Sequence, residues 1–255
     1  MRRALLTLLS LAVLIPALAR ADESAAEISR KSRERGALNL VGLQAELKLT
    51  TTTKDGKVKE QVLSSAAKKV NGRDASIAKF SKPDAVSGVA ILTLSGEGAS
   101  GDDIAMYLPK LHRVRKVAKT ERGKSFMDTD FSYSDLGSSA TNDEKVKRLA
   151  DSKVEGRDTY VLQGPGDEDS SYGEVTVYVD KETYVPMKVE YKDKDGKPFK
   201  TYRTIKLKKF KDRVLAAESV MENLQSGSST KVEVLSVQDN TLGDEAFTER
   251  GLERG

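Results

Sequence analysis

Residues 43–57 read LQAELKLTTTTKDGK. Leu43, Ala45, Leu47 and Leu49 alternate with Gln44, Glu46 and Lys48. Successive side chains of an extended strand point to opposite faces, so this pattern predicts a strand with one apolar and one wetted face. Asp55-Gly56, inside Lys54–Lys57, is a dipeptide that tolerates the positive φ of a tight hairpin turn. The returning chain, Val58 to Asn71, reads as a second long strand. Asn71-Gly72 is another turn pair, and Ala75 to Phe80 a third strand.

The same pattern continues outward. Gly88–Ser95, GVAILTLS, is apolar almost throughout and predicts a central strand; Gly96–Gly101 reads as a loop. Ile104–Leu108 and His112–Val117 predict a hairpin around Pro109-Lys110-Leu111. Further strands are expected at Thr159–Gln163, Glu174–Asp180, Pro186–Lys192, Phe199–Phe210, Val214–Leu224 and Thr230–Gln238. Two short helices are expected, one within Asp22–Gly36 and one over Asn142–Ala150, where Asn142 can cap the N-terminus and acids fill the first turn. Long alternating strands in meander order build a mainly β fold, a curved antiparallel sheet or open barrel. So little helix cannot fill such a sheet. An apolar concavity is the consequence, and apolar concavities bind ligands.

The first residues are MRRALLTLLSLAVLIPALARAD. Arg2 and Arg3 precede an apolar run from Ala4 to Leu18, and Ala19-Arg20-Ala21 fits a small-x-small cleavage site. Residues 1–21 are therefore expected to be a signal peptide cleaved after Ala21, and 22–255 a single exported domain. The apolar run is shorter than the ~20 residues of a membrane span. The formal charge of +4 falls to +1 once Arg2, Arg3 and Arg20 leave, which argues against nucleic acid as a partner. The absence of cysteine removes disulfides, thiolate chemistry and attachment of a lipid through an N-terminal cysteine. A soluble, non-lipidated periplasmic protein fits best. His112 is the one histidine, and no G-x-S-x-G elbow accompanies it. Neither a hydrolase nor a cofactor is expected.

The stretch from Val89 to Leu136 resembles a known family. The run Val89-Ala90-Ile91-Leu92, then Asp102-Asp103-Ile104-Ala105-Met106-Tyr107-Leu108-Pro109-Lys110-Leu111-His112-Arg113-Val114-Arg115-Lys116, and then Gly123-Lys124-Ser125-Phe126-Met127-Asp128-Thr129-Asp130-Phe131-Ser132-Tyr133-Ser134-Asp135-Leu136, resemble the LolA-like outer membrane lipoprotein-sorting proteins. That family shows D-x-W-x-Y-L-P-x-L-x-R-V-R-R followed by S-F-M-G-S-D-F-S-Y-E-D-L. Ala105 replaces the usual aromatic, and Asp128-Thr129 replaces Gly-Ser; an altered pocket rim or turn is expected there. The resemblance implies a half-open antiparallel β-barrel with short helices as lid or plug over an apolar cavity, and a carrier that shields acyl chains of lipid or lipoprotein. It also implies an inner-membrane exporter of the resistance–nodulation–division type and an outer-membrane acceptor as partners. The alternative is an envelope sensor or transporter-interaction module on the same fold.

Alternation nominates Leu43, Leu47, Leu49, Val89, Ile91, Leu92, Leu94, Met106 and Met221 as cavity residues. Tyr107, Leu108, Pro109, Arg113, Arg115, Phe126, Met127, Asp130, Phe131, Tyr133 and Asp135 belong to the motif and its cavity rim. The run KSFMDTDFSYSDL, 124–136, fails as a calcium loop, because Tyr133 and Ser139 stand where Gly and Glu are needed. It reads as a corner, with aromatics packed over the barrel end and Asp130 and Asp135 accepting backbone N–H groups, or as an aromatic rim touching cargo. Arg113 and Arg115 could pair with these acids or with anionic headgroups. Lys188–Arg213 holds eleven basic and four acidic residues. That hairpin could meet an acidic partner, make peripheral membrane contact, or simply be a solvated face.

Overall fold

The computed structural model describes residues 23–35, 38, 40–96, 102–137 and 145–254. The expected signal peptide lies outside them. Among the described residues, no helix is long and apolar enough to cross a membrane.

The strands are β1 Leu43–Thr52, β2 Val58–Val70, β3 Arg73–Lys82, β4 Ala90–Leu94, β5 Asp103–Leu108 and β6 Arg113–Lys116. After a long crossing come β7 Lys147–Val154, β8 Arg157–Pro165, β9 Tyr172–Asp180, β10 Pro186–Asp193, β11 Pro198–Phe210, β12 Arg213–Asn223 and β13 Ser228–Asp239. They form one 13-stranded sheet in the order β6-β5-β4-β3-β2-β1-β13-β12-β11-β10-β9-β8-β7. Every pairing is antiparallel. Two meanders are therefore joined through β1 and β13. The sheet curves and stays open, with β6 and β7 as its free edges.

The turns form where the residues allow them. Asn71 and Gly72 both take positive φ, 49° and 81°, at the β2–β3 turn. Gly56 does so at 81° in the first hairpin.

One helix expectation is overturned. Lys147–Val154 is strand β7, paired with β8 from Lys147↔Gln163 to Val154↔Arg157; residues 142–144 lie outside the described set. The N-terminal helix is present as α1, Ala25–Arg33, closed by a capping box between Ser24 and Glu27. It lays Ile28 on Leu162 and Val179 of the concave face. A second helix, α2 Glu249–Arg254, was not foreseen. Phe247 before it and Leu252 within it bury Ala66, Ala75, Ala90, Leu92 and Ala105 on the convex face.

An apolar hollow beneath a crossing loop

The strand register decides which side chains face inward. Leu49 of β1 lies opposite Gln61 of β2 and Val232 of β13, and Leu47 opposite Leu63. Leu63 pairs with Phe80, and Ala78 with Ile91. These residues share the concave face. The chain from β6 to β7 must travel from one free edge of the sheet to the other, and it does so across this concavity. Phe126 and Tyr133 of the crossing loop are buried there, with Phe131, Met127 and Leu136 packed beside them. Phe126 meets Phe80 and Tyr133 with ring centroids 5.7 Å away in each case.

Between the loop, α1 and the sheet remains a hollow of about 290 Å³. Leu47, Leu49, Leu63, Ile91, Phe126, Phe131 and Val232 give it an apolar wall, and Leu38 and Leu40 lie where the chain enters β1. Its size is at the lower end of the ~300–1,000 Å³ typical of small-ligand pockets.

Of the nominated cavity residues, Leu47, Leu49 and Ile91 line this space. Leu43, Val89 and Met106 belong to the same concave cluster, set back from it. Met221 also faces inward, in a second cluster with Tyr172, Val189, Tyr191 and Tyr202. Leu92 and Leu94 face the other way and pack in the convex cluster that holds Phe247 and Leu252. Ile91 and Leu92 are neighbours on one strand, so both cannot face the hollow. Position 105 is likewise convex, so its Ala-for-aromatic departure alters the packing beneath α2 and not a pocket rim.

Asp135, in a short turn of the loop, lines the hollow. Its carboxylate accepts from Ser132 N at 2.6 Å, Ser132 Oγ at 2.7 Å and, through both oxygens, the Tyr172 hydroxyl at 2.9 Å. Lys200 of β11 donates to the Tyr172 oxygen at 3.1 Å and stands 3.8 Å from Asp135. Lys200 and Asp135 keep only 6% and 5% of their side-chain surface. Burial pulls the Lys200 ammonium below the ordinary lysine value, opposed by the charges of Asp135 and Asp130. Burial, then the Asp135 charge, push the Tyr172 hydroxyl well above the ordinary tyrosine value. Asp130 accepts from the hydroxyls of Ser228 and of Thr230, the latter at 2.7 Å, and Thr230 continues to Thr51 at 3.0 Å. Asp135 thus accepts a turn N–H as expected, whereas Asp130 reaches across to side chains of β13.

Several sequence-level pairings do not form. Arg115 pairs with Glu121 at 2.8 Å, not with Asp128, Asp130 or Asp135. Asp128 pairs with Lys59 at 2.9 Å. Arg113 and His112 are exposed, and Tyr107 and Leu108 half-buried. Pro109 starts a single turn, Pro109–Leu111, between β5 and β6. Arg122 is buried and bound to Asp169 at 2.7 Å, so the acidic loop 164–171 clamps the start of the crossing loop. The basic hairpin is partly compensated: Lys188 meets Glu190, Lys192 meets Glu174, Arg203 meets Glu222, Lys206 meets Glu218 and Lys211 meets Asp239. No cluster of metal-ligating side chains exists among the described residues.

An open half-barrel with an apolar hollow suits a carrier or binding role. A family model with the description "-like: Uncharacterized protein" matches residues 72–254, well over half of the chain. The chain belongs to the family of that model, and its fold is the LolA-like fold of outer membrane lipoprotein-sorting proteins. It is 29% identical to a crystal structure assigned as an outer membrane lipoprotein-sorting protein domain from Vibrio parahaemolyticus, with 90% of this chain and 98% of that one covered and a TM-score of 0.79. A DUF1329 family protein from Desulfovibrio piger is 20% identical at TM-score 0.79, covering 89% of this chain and 97% of that one. A LolA superfamily protein from Nitrosomonas europaea is 20% identical at TM-score 0.69, covering 89% and 98%. These last two share the fold. No curated protein matches the chain at a significant level.

Proposed function

We propose that this protein is a non-enzymatic periplasmic carrier that shelters an acyl chain of a lipid or lipoprotein in the hollow beneath the crossing loop. The observation that carries this reading is the apolar wall of Leu47, Leu49, Leu63, Ile91, Phe126 and Val232 around the hollow. Each methylene moved from water into such a wall contributes about 0.8 kcal/mol. The mature chain starts at Asp22 and works as one domain. It receives cargo from an inner-membrane exporter and yields it to an outer-membrane acceptor. Transfer needs no chemistry, because a partner that displaces the crossing loop or offers a larger apolar site drives release.

The test is displacement of a fluorescent fatty acid from the mature protein, compared with Ala78→Phe. Ala78 faces the hollow, and a ring there fills it. Saturable binding lost in that variant supports the carrier; binding that ignores the added ring contradicts it.

A further inference from the structure

The floor of the hollow holds two hydroxyls that the fold leaves idle. Tyr202 of β11 and Ser219 of β12 line it and are 4% and 0% exposed. Neither oxygen meets a partner in good hydrogen-bond geometry: Tyr202 has only loose contacts with the Ser219 and Thr204 hydroxyls, and Thr204 already donates to the Pro186 carbonyl at 2.7 Å. Buried hydroxyls without partners are costly, and native proteins keep few of them outside functional sites. Both sit beside the apolar wall: Ser219 is directly opposite Val232, which is opposite Leu49.

We propose that Tyr202 and Ser219 form a hydrogen-bonding station for a carbonyl oxygen of the cargo, as in an acyl ester, with the alkyl chain running on over Val232, Leu49 and Leu47. This deepens the carrier reading and rests on it. Two hydroxyl donors suit an acceptor oxygen. An alkane pressed into the floor leaves both hydroxyls unmet, whereas a carbonyl satisfies them. Lys200, two residues before Tyr202 on the same face of β11, is already engaged by Tyr172 and Asp135, so it is not the donor that meets this oxygen.

The experiment measures affinities of the mature protein for methyl decanoate and for tridecane with the same number of heavy atoms, by displacement of a fluorescent fatty acid. Wild type is compared with the double variant Tyr202→Phe and Ser219→Ala, which removes two oxygens and little volume. The expected result is an ester-to-alkane affinity ratio about tenfold higher in wild type than in the double variant, while tridecane affinity holds or rises. Retained tridecane binding shows that the variant is folded. A ratio that does not change between wild type and the double variant overturns the station and leaves the carrier standing. If no chain binds wild type, the carrier reading fails and the station with it.

Discussion

Tyr172 gives its hydroxyl hydrogen to both carboxylate oxygens of Asp135, at 2.9 Å each, and so fastens the crossing loop to the start of β9. This bond spans 37 residues of sequence. It joins a turn that lines the hollow to a wall of the sheet, and Lys200 supplies the counter-charge. The loop is therefore held over the hollow by a buried polar latch as well as by Phe126 and Tyr133.

Tyr172→Phe should cost about 2 kcal/mol of stability, the loss of a charge-assisted bond that leaves a buried carboxylate short of a donor. Urea denaturation of the variant and wild type reads this directly. A change under about 0.5 kcal/mol would mean that the latch is not a stabilising contact.

The convex face makes the opposite test. Phe247→Ala empties the site beneath α2 and should cost about 3–5 kcal/mol. Chain binding per folded molecule should not change, because the hollow is on the other side of the sheet. Loss of binding in a variant that remains folded would show that the two faces are coupled.

Asp128 stands where the resembled motif has glycine, and its φ is 59°. Its ion pair with Lys59 is on the surface, with the Asp128 side chain 89% exposed, so little is lost with the charge. Asp128→Gly should therefore stabilise the protein by up to about 1 kcal/mol, seen as a rise in Tm. A fall in Tm would show that the exposed pair matters more than the backbone.

Acid sensitivity should run through Asp180. Burial alone would raise its carboxyl, but bonds from Arg157, at 2.8 and 2.9 Å, and from Thr183 outweigh it and hold the carboxyl below its ordinary value. A depressed folded value means that Asp180 stabilises above its unfolded pKa of ~3.9, and that the contribution disappears as pH falls through the folded value. Asp180→Asn should then cost about 2 kcal/mol at pH 7, discounted because Arg157 is partly exposed, with the difference shrinking as pH falls below the ordinary carboxylate value. A difference independent of pH would exclude this origin.

The legible part of the fold follows from which strands have one wet face. Leu43 to Leu49 alternate cleanly because their other face meets water, and Asp55-Gly56 and Asn71-Gly72 mark their own turns. β7 hid itself: as an edge strand almost wholly exposed, it has no apolar alternation, and NDEKVKRLA reads by composition as a capped helix. Leu92 and Leu94 were assigned to the hollow because GVAILTLS is apolar on both faces. The second face is buried by Phe247 and Leu252, some 150 residues later, and the six-residue α2 has too little sequence to announce itself. The motif located Phe126, Phe131, Tyr133 and Asp135 in the loop. Nothing local connects Asp135 to Tyr172 and Lys200, because only the crossing from β6 to β7 brings them together.

The most direct test of the central claim is native mass spectrometry of the mature protein purified from periplasm, with solvent extraction to identify what it holds. The account predicts a near-stoichiometric species bearing an acyl chain, absent from Ala78→Phe purified in the same way. An empty wild-type protein that also fails to take up a fluorescent fatty acid would contradict it.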